Sequence, residues 1–308
     1  MANGSMGEAM AESTPVSAVP TVAPPAAAPS EPSHAPAAPS FWRSYRVPIW
    51  SAIVLVLFIL AWEWGFRALG VPKYFIPTLS EIGSEFLRAY ERMDLVHHTA
   101  ITSFEVVVGF ALGALLGMTM GYILGMSPTA EMVLSPYILA LQIAPKVAFA
   151  PLFVLWFGFS VEAKMSVAIL VAVLVVFFPI MVNVLGAVRA VDPAMINLAR
   201  TFNATRWQIF WKIEFPASMP ALFSGLRIGS TLAVIGVTVG ELVGGINRGL
   251  GFLLLSGETM GAPLVFLAIL VLTIIGIVAY CIVILAERSV LHYMPRRDFG
   301  ETNQPGGK

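Results

Sequence analysis

Two ionisable side chains lie inside the long apolar segments of this 308-residue chain and could act on a polar solute. Lys146 lies between two prolines in the run QIAPKVAFAPLF, and Glu241 lies near the end of a later apolar segment. A charge at membrane depth is costly, usually faces the interior of a helix bundle, and marks a solute pathway by default. The sequence therefore predicts that Lys146 and Glu241 line a translocation pathway. The alternative is a packing contact with an opposite charge or with the backbone.

Other side chains that could carry out chemistry do not form a recognisable catalytic or metal site. Glu63 and Glu105 lie nearer the ends of apolar segments, and we expect them to reach the membrane interface. The single cysteine, Cys281, cannot form an intramolecular disulfide. The histidines, His34, His97, His98 and His292, all lie outside the predicted spans. The sequence therefore predicts no metal and no cofactor. It also disfavours an intramembrane enzyme, which needs clustered polar groups at membrane depth.

The composition is that of a polytopic membrane protein. Hydrophobic residues make up 57% of the chain, charged residues 12%, and the mean hydropathy is +0.82. A soluble domain carries roughly twice that charged fraction. Segments of about 20 apolar residues can cross a bilayer as helices. We therefore predict an all-α membrane protein with about six transmembrane helices, near residues 47–66, 101–125, 132–157, 165–186, 219–243 and 263–286.

Two tails flank the predicted membrane domain, which comprises residues 41–292. Residues 1–40 are rich in Ala and Pro, contain no Lys or Arg, and lack the basic and apolar regions of a signal peptide. Such a segment cannot bury enough apolar surface to fold, so we expect a disordered extension. Residues 293–308 form a C-terminal tail that we place on the cytoplasmic side.

A polar segment, residues 192–216, interrupts the apolar spans and begins with the signals of a short helix. Asp192 can cap this helix, and Pro193 suits its first position, where a missing N–H costs nothing. Asn203 enters the left-handed backbone conformation at low cost, so it can end the helix. The segment therefore predicts a short helix followed by a tight turn.

The second half of this segment contains the signals of another helix. Thr205 and Gln208 form a T-x-x-Q capping box, and Pro216 limits the helix that follows. Together the two halves predict a helical hairpin. A capped hairpin in a membrane protein is suited to being held by a cytoplasmic partner.

Lys and Arg are more frequent on one side of the predicted spans. With both termini inside, the inner flanks and loops contain Arg43, Arg46, Arg189, Arg200, Arg206, Lys212, Arg288, Arg296, Arg297 and Lys308. The outer side contains Arg67, Lys73, Arg88, Arg92, Lys164 and Arg248. Because cytoplasmic loops are enriched in Lys and Arg, this distribution predicts cytoplasmic termini and a cytoplasmic hairpin.

The second predicted span carries a glycine at every fourth position. These glycines follow one slowly drifting face of a helix, where a neighbouring helix can approach closely. Static packing is one interpretation, and a sliding or rocking contact is the other. The stripe comprises Gly109, Gly113, Gly117, Gly121 and Gly125.

Two regions of the chain resemble a known family. The run IAPKVAFAPLFVLWFGF, from Ile143 to Phe159, and the later FFPIMVNVLGAVRAVDP are similar to permease subunits of bacterial ABC importers of the nitrate/sulfonate/taurine group. The run GELVGGINRGLGFLL is similar to the same group. The resemblance covers about residues 95–290, which is essentially the whole membrane domain.

The hairpin is similar to the cytoplasmic signature of these permeases: E-A-A, three residues, Gly, nine residues, and I-x-L-P. Asn197 occupies the glutamate position and so lacks the charge that could pair with a basic residue of an ATPase. Asn203 replaces the glycine but retains access to the left-handed turn. Phe215 occupies the leucine position. The resemblance implies an ATPase-coupling site formed by Asn197, Leu198, Ala199, Arg200, Thr201, Asn203, Ala204, Thr205, Arg206, Ile213 and Pro216.

The resemblance implies a type I ABC importer transmembrane domain that works as a homodimer in the bacterial inner membrane. The implied partners are cytoplasmic ATP-binding subunits, an extracytoplasmic substrate-binding protein and membrane lipid, with no nucleic acid. The chain has no G-x-x-x-x-G-K-[ST] loop, so ATP hydrolysis is expected from a partner subunit. An ion-coupled carrier or channel is the alternative. Such carriers usually have inverted repeats and several intramembrane carboxylates, and we find neither in the sequence.

Permeases of this group carry nitrate, sulfonates, taurine or pyrimidine vitamin precursors. The implied substrate is therefore a small solute of one of these kinds, selected largely by the binding protein. The 143–192 region and the GELVGG continuation favour an organic solute, with a vitamin precursor as one candidate.

Overall fold

All regular structure in the described part of the chain is helical. The computed structural model describes residues 41–293 apart from 73, 159 and 246. The predicted tails, residues 1–40 and nearly all of 293–308, lie outside these residues. The chain divides into two units, Met1–Val56 and Leu57–Lys308, and the helical bundle described below belongs to the second.

Long helices alternate with short ones along the chain. The α-helices of the described residues are α1 (Phe41–Leu60), α2 (Phe66–Ala68), α3 (Leu79–Arg92), α4 (Leu95–Met126), α5 (Pro128–Ile143), α6 (Ala150–Phe157), α7 (Val161–Arg189), α8 (Pro193–Thr201), α9 (Arg206–Ile209), α10 (Phe215–Gly244), α11 (Leu250–Met260) and α12 (Ala262–Val290). Adjoining them are the π turns Ala61–Gly65 and Phe210–Glu214 and the 3-10 turns Lys146–Phe149 and Leu291–Tyr293.

Five helical runs of the described residues are long and apolar enough to cross a membrane, and a bent pair makes up to six. The five are Ile49–Ala68, Leu95–Met126, Ala163–Arg189, Arg206–Gly244 and Ala262–Val290. The bent pair, Pro128–Ile143 with Lys146–Phe157, turns by 81°. These findings confirm the predicted all-helical membrane domain, but the predicted span 132–157 is not one continuous helix. Pro145 explains the break, because its ring disfavours the helical conformation at the preceding Ala144, whose ψ is 136°.

The centre of the bundle is α7, which packs between α4 and α10. Both neighbours approach α7 through glycines. A Cβ added at Gly109 of α4 would lie 2.6 Å from the Ala172 Cβ, and one added at Gly236 of α10 would lie 2.6 Å from the Ala172 Cα. The predicted stripe from Gly109 to Gly125 is therefore a close-packed helix contact in this arrangement. Lipid removes the hydrophobic driving force between helices, so association depends on this close approach.

Two shorter helices, α3 and α11, are absent from the sequence-based prediction. The polar helix α3 buries Ile82 and Ala89 and packs against α12. The apolar helix α11 has 11 residues, too few to cross a bilayer, and packs against α10 and α12. Since α3 leads into α4 and α11 follows α10, both lie at the end of the bundle opposite the predicted hairpin.

Candidate functional site

The first helix of the hairpin, α8, is capped at its N-terminus as the sequence predicts. The Asp192 carboxylate accepts a hydrogen bond from the Ala194 N–H at 2.8 Å, and Pro193 is the first residue of the helix. This cap satisfies one of the N–H groups that have no partner within the helix, and Pro193 removes another. The helix start is therefore fixed by local interactions.

The turn after α8 is closed by Asn203. Its φ is 56°, which is the left-handed conformation predicted for it. The Asn203 N–H donates to the Arg200 carbonyl at 2.9 Å, and the Ala204 N–H donates to the Ala199 carbonyl at 3.1 Å. This pair of bonds is the Schellman motif, which satisfies the last carbonyls of a helix. The turn is therefore rigid.

The second helix of the hairpin begins as predicted but does not end as predicted. Gln208 N–H donates to the Thr205 hydroxyl at 3.3 Å, and the Thr205 N–H donates to the Gln208 side-chain oxygen at 2.8 Å, which confirms the capping box. The prediction that Pro216 limits this helix is wrong. The chain stays helical through the π turn Phe210–Glu214 into α10. The wider π turn accommodates the missing N–H and the ring of a proline that would break a regular α-helix.

The hairpin is attached to the bundle by aromatic and polar contacts with α4. Phe210 is buried, and its ring centre lies 5.3 Å from that of Tyr122. The hydroxyl groups of Tyr122 and Ser218 lie 2.9 Å apart, within hydrogen-bond distance. The Arg206 guanidinium donates to the Met126 carbonyl at 3.5 Å, at the C-terminus of α4, where a cation is favoured. The hairpin is therefore held in one position against the bundle.

An apolar face of α8 and its C-cap is exposed. Met195, Leu198 and Phe202 are 54%, 60% and 79% exposed. Their spacing of three and four residues places them on one side of a helix. An exposed apolar face on a capped, rigid element indicates an interaction site. We name this set the hairpin face.

The predicted coupling residues are all brought together at this end of the bundle. Those with exposed side chains are Asn197, Leu198, Arg200, Thr201, Asn203, Thr205 and Arg206, and those half-buried are Ala199, Ala204, Ile213 and Pro216. The exposed residues lie along α8, the turn and the start of α9. Ile213 and Pro216 instead lie in the π turn and in α10, where they connect the hairpin to the bundle.

We expect the backbone conformation of Asn203 to limit which residues can replace it. Valine at this position should destabilise the turn by about 1–2 kcal/mol, because a β-branched residue is strained in the left-handed region. Asn203→Gly is the matched control, since glycine adopts this conformation freely. Hydrogen exchange of the Ala204 amide is the measurement, and it should be roughly tenfold faster in Asn203→Val. Equal protection in the two variants would contradict the assignment of the turn.

The second predicted pathway residue, Glu241, is fully buried at the opposite end of the bundle. Its carboxylate accepts hydrogen bonds from the Thr102 hydroxyl of α4 at 2.6 Å and from the Gly251 N–H of α11 at 2.6 Å. In this arrangement Glu241 holds three helices together, which is the packing alternative. Its role in a pathway stays a prediction.

Two expectations about polar residues of α4 are wrong. Glu105 does not reach the membrane interface, because it is fully buried beside Glu241. His97 and His98 do not lie outside the helical spans, because α4 begins at Leu95. The His98 ring is buried and lies 5.5 Å from the Phe252 ring. A signal in the sequence could have predicted the burial of Glu105. It precedes Gly109 by four residues and so continues the buried glycine face.

Lys146 lies at the break between α5 and α6. Its Nζ donates to the Gln142 carbonyl at 2.6 Å and lies 4.9 Å from the centre of the Phe178 ring. Backbone and cation–π contacts can hold an ammonium group without a carboxylate partner. No ion pair joins Lys146 to Glu241 in the part of the chain that the structure describes. The pathway role of Lys146 stays a prediction.

The fold and the hairpin define a multi-pass membrane subunit with an exposed interaction site at one end. Residues 113–292 match the family model for the inner membrane component of binding-protein-dependent transport systems. This match covers more than half of the chain, so the chain belongs to that family. The chain is therefore a permease of the ABC importer class with a type I transmembrane domain, which confirms the predicted family, fold class and transport function. The family also implies ATPase and substrate-binding partners.

Curated relatives match most of the chain. The riboflavin transport system permease protein of Chloroflexus aurantiacus is 33% identical over 82% of this chain and 91% of its own length. The formylaminopyrimidine transport permease protein of Halalkalibacterium halodurans is 32% identical over 83% of this chain and 99% of its own length. The taurine transport system permease protein of Escherichia coli is 28% identical over 76% of this chain and 86% of its own length.

Proposed function

We propose that two copies of this chain form the translocation pathway of an importer for a small organic solute. A cytoplasmic ATP-binding subunit binds the hairpin of each copy, and an extracytoplasmic binding protein delivers the solute to the opposite end. Both termini lie in the cytoplasm. The observation that carries this proposal is the hairpin face, an exposed apolar surface on an element that is capped at its start and closed at its turn.

The chemistry of the hairpin face supports an ATPase groove as its partner. A short helix with apolar side chains at spacings of three and four residues fits a hydrophobic groove on another protein. Leu198 and Phe202 provide the apolar contacts, and the exposed Arg200 provides a charge on the other side of α8. Asn197 adds no charge, so binding in this importer depends on packing rather than on an ion pair at that position.

The connection of the hairpin to the bundle supports a rigid transfer of motion. One end of the hairpin continues from α7, and the other end continues through the π turn into α10. These two helices pack closely, with the Gly236 position in contact with Ala172. A displacement of the hairpin by the ATPase subunits therefore moves α7 and α10 together. Alternating access requires two such rigid arrangements, each favoured by a different ligand.

The second copy is proposed to cover apolar surface of the bent pair. Along α5 and α6, Met132, Tyr137 and Leu155 are 78%, 65% and 72% exposed. Lys146 lies at the break between these helices, where irregular backbone is tolerated if it is buried in protein or lines a cavity. We therefore propose that the break faces the pathway and that Lys146 attracts a polar or anionic group of the solute.

We propose the substrate class of this chain from the names of its relatives. The riboflavin and formylaminopyrimidine permeases are each matched over more than four fifths of this chain. Both names refer to small heterocyclic organic solutes. We therefore propose a vitamin or vitamin precursor over an inorganic anion such as nitrate, with sulfonates and taurine as further candidates.

Reconstitution with candidate partners tests this proposal. The chain is co-purified with a candidate ATP-binding subunit, and ATP turnover and solute uptake are measured in proteoliposomes with and without the binding protein. We expect a stable complex whose turnover rises with the loaded binding protein. Uptake that proceeds without ATP would support the ion-coupled carrier instead. A folded chain that binds none of its candidate ATP-binding subunits would contradict the proposal.

A further inference from the structure

A buried polar cluster lies at the end of the bundle opposite the hairpin. Thr102 and Glu105 of α4 and Glu241 of α10 are each fully buried. The N-terminus of α11 completes the cluster through the N–H groups of Leu250 and Gly251. Buried polar groups in a membrane protein are costly unless each has a partner. The hydrogen bonds of this cluster therefore constrain which of its groups carry a proton.

Both carboxylate oxygens of Glu241 accept hydrogen bonds. Oε1 accepts from the Thr102 hydroxyl at 2.6 Å, and Oε2 accepts from the Gly251 N–H at 2.6 Å. The Thr102 hydroxyl in turn accepts from the Leu250 N–H at 2.8 Å. An ionised carboxylate only accepts hydrogen bonds, so these contacts indicate that Glu241 is ionised. The positive end of the α11 dipole also favours a negative charge at this point.

The carboxyl group of Glu105, unlike that of Glu241, has no hydrogen-bond donor in the part of the chain that the structure describes. It is fully buried next to Glu241, and neither of its oxygens accepts a hydrogen bond from an N–H or O–H group of the described residues. A second negative charge beside Glu241 would be neither hydrogen-bonded nor paired, which is strongly unfavourable in a low-dielectric interior. A protonated Glu105 instead has an O–H that it can donate to Glu241.

No cation in the described part of the chain neutralises the two carboxyl groups. The elements that surround the cluster carry further charged or titratable side chains at this end of the bundle. They include His97 and His98 of α4, Lys164 of α7, Arg248 before α11, Glu258 of α11, and Glu81, Glu85, Arg88, Glu91 and Arg92 of α3. The Lys164 ammonium donates to the Gly245 carbonyl at 2.8 Å, and Glu85 pairs with Arg88 at 2.9 Å. None of these groups forms an ion pair with Glu105 or Glu241. On α12 the charges of the described residues lie at its far end.

We propose that Glu105 and Glu241 form a proton-binding site that holds one proton, carried by Glu105 and donated to the Glu241 carboxylate. The site couples protonation to the position of α11. While the proton is bound, Glu241 keeps both hydrogen bonds that hold the first turn of α11 against α4 and α10. When the proton leaves, repulsion between the two carboxylates separates α4 from α10 and weakens this attachment.

Infrared spectroscopy of the purified chain in lipid nanodiscs tests the site directly. A protonated buried carboxyl group gives a carbonyl band that is separate from the bands of carboxylates and shifts in deuterated water. We expect this band at neutral pH, its loss at alkaline pH, and its absence in Glu105→Gln. Glutamine keeps the size of the side chain and can donate an N–H to Glu241. Glu63→Gln is the matched control, since Glu63 is ion-paired with Arg67 at the same end of the bundle, and it should retain the band.

Thermal unfolding provides a second readout. Folding takes up the proton, because an exposed glutamate in the unfolded chain is ionised at neutral pH. The stability of the wild type should therefore fall as the pH rises through the titration of the site, and Glu105→Gln should lose this dependence. The wild-type spectrum decides the question even if Glu105→Gln does not fold. A wild type without the band, or a stability that follows the sodium concentration and not the pH, would overturn the proposal.

Discussion

Replacing Gly236 by leucine is expected to prevent formation of the stable bundle. A Cβ at this position would lie 2.6 Å from the Ala172 Cα and 3.1 Å from the Ala172 N–H nitrogen. These are backbone atoms in the middle of α7, and they cannot move aside as a flexible side chain would. The opposite side of Ala172 is already occupied by α4 at Gly109. Overpacking usually costs about 1–3 kcal/mol, and we expect at least the upper end of this range here.

The measurement is the yield of monodisperse protein in detergent and its melting temperature. Gly186→Leu is the matched control, because Gly186 lies in α7, is exposed, and has no heavy atom within 4 Å of an added Cβ. This control should melt near the wild-type temperature. Equal melting temperatures for Gly236→Leu and Gly186→Leu would show that α7 and α10 do not pack as described.

Replacing Leu198 and Phe202 by aspartate is expected to uncouple the ATPase subunits from the bundle. The two side chains are 60% and 79% exposed, so the substitutions should leave the folded chain intact. In the proposed complex with the ATPase subunit, the two aspartates would place two charges in an apolar groove. An interface anchor contributes about 2 kcal/mol, so we expect a loss of roughly 30-fold in affinity for each replacement.

Binding of the ATP-binding subunit and stimulated ATP turnover are the two measurements. Leu198→Met tests whether apolar packing is the cause, since it keeps an apolar side chain of similar size, and it should retain most of the binding. The double aspartate variant should melt at the wild-type temperature. Normal transport in that variant would refute the role of the hairpin face in coupling.

The hairpin illustrates what local signals can predict. Asp192, Asn203 and Thr205 each act on backbone groups within a few residues, so their roles are independent of the rest of the chain. The prediction that Pro216 ends the second helix is wrong because it considered the proline alone. Whether a proline ends a helix depends on the geometry of the preceding turn, and here that turn is the π turn Phe210–Glu214.

The polar cluster illustrates what local signals cannot predict. Thr102 and Glu241 are bonded across a separation of 139 residues, and Leu250 is bonded to Thr102 across 148. Glu105 looks like a residue at the end of a span when only the apolar run around it is considered. Its burial follows from its place on the glycine face of α4. Its proximity to Glu241 follows from the packing of α10.

Composition and local sequence signals predict the membrane class, about six helical spans, the capped hairpin and the family. Each of these depends on composition, on the length of an apolar run, or on residues that interact within one or two turns. The folded structure alone shows that α7 lies between two glycine-lined helices, that the third span is bent by 81°, and that two carboxyl groups meet beside α11. These features depend on which helix faces meet, and such contacts join residues far apart in the chain, where no local preference of the backbone fixes the pairing.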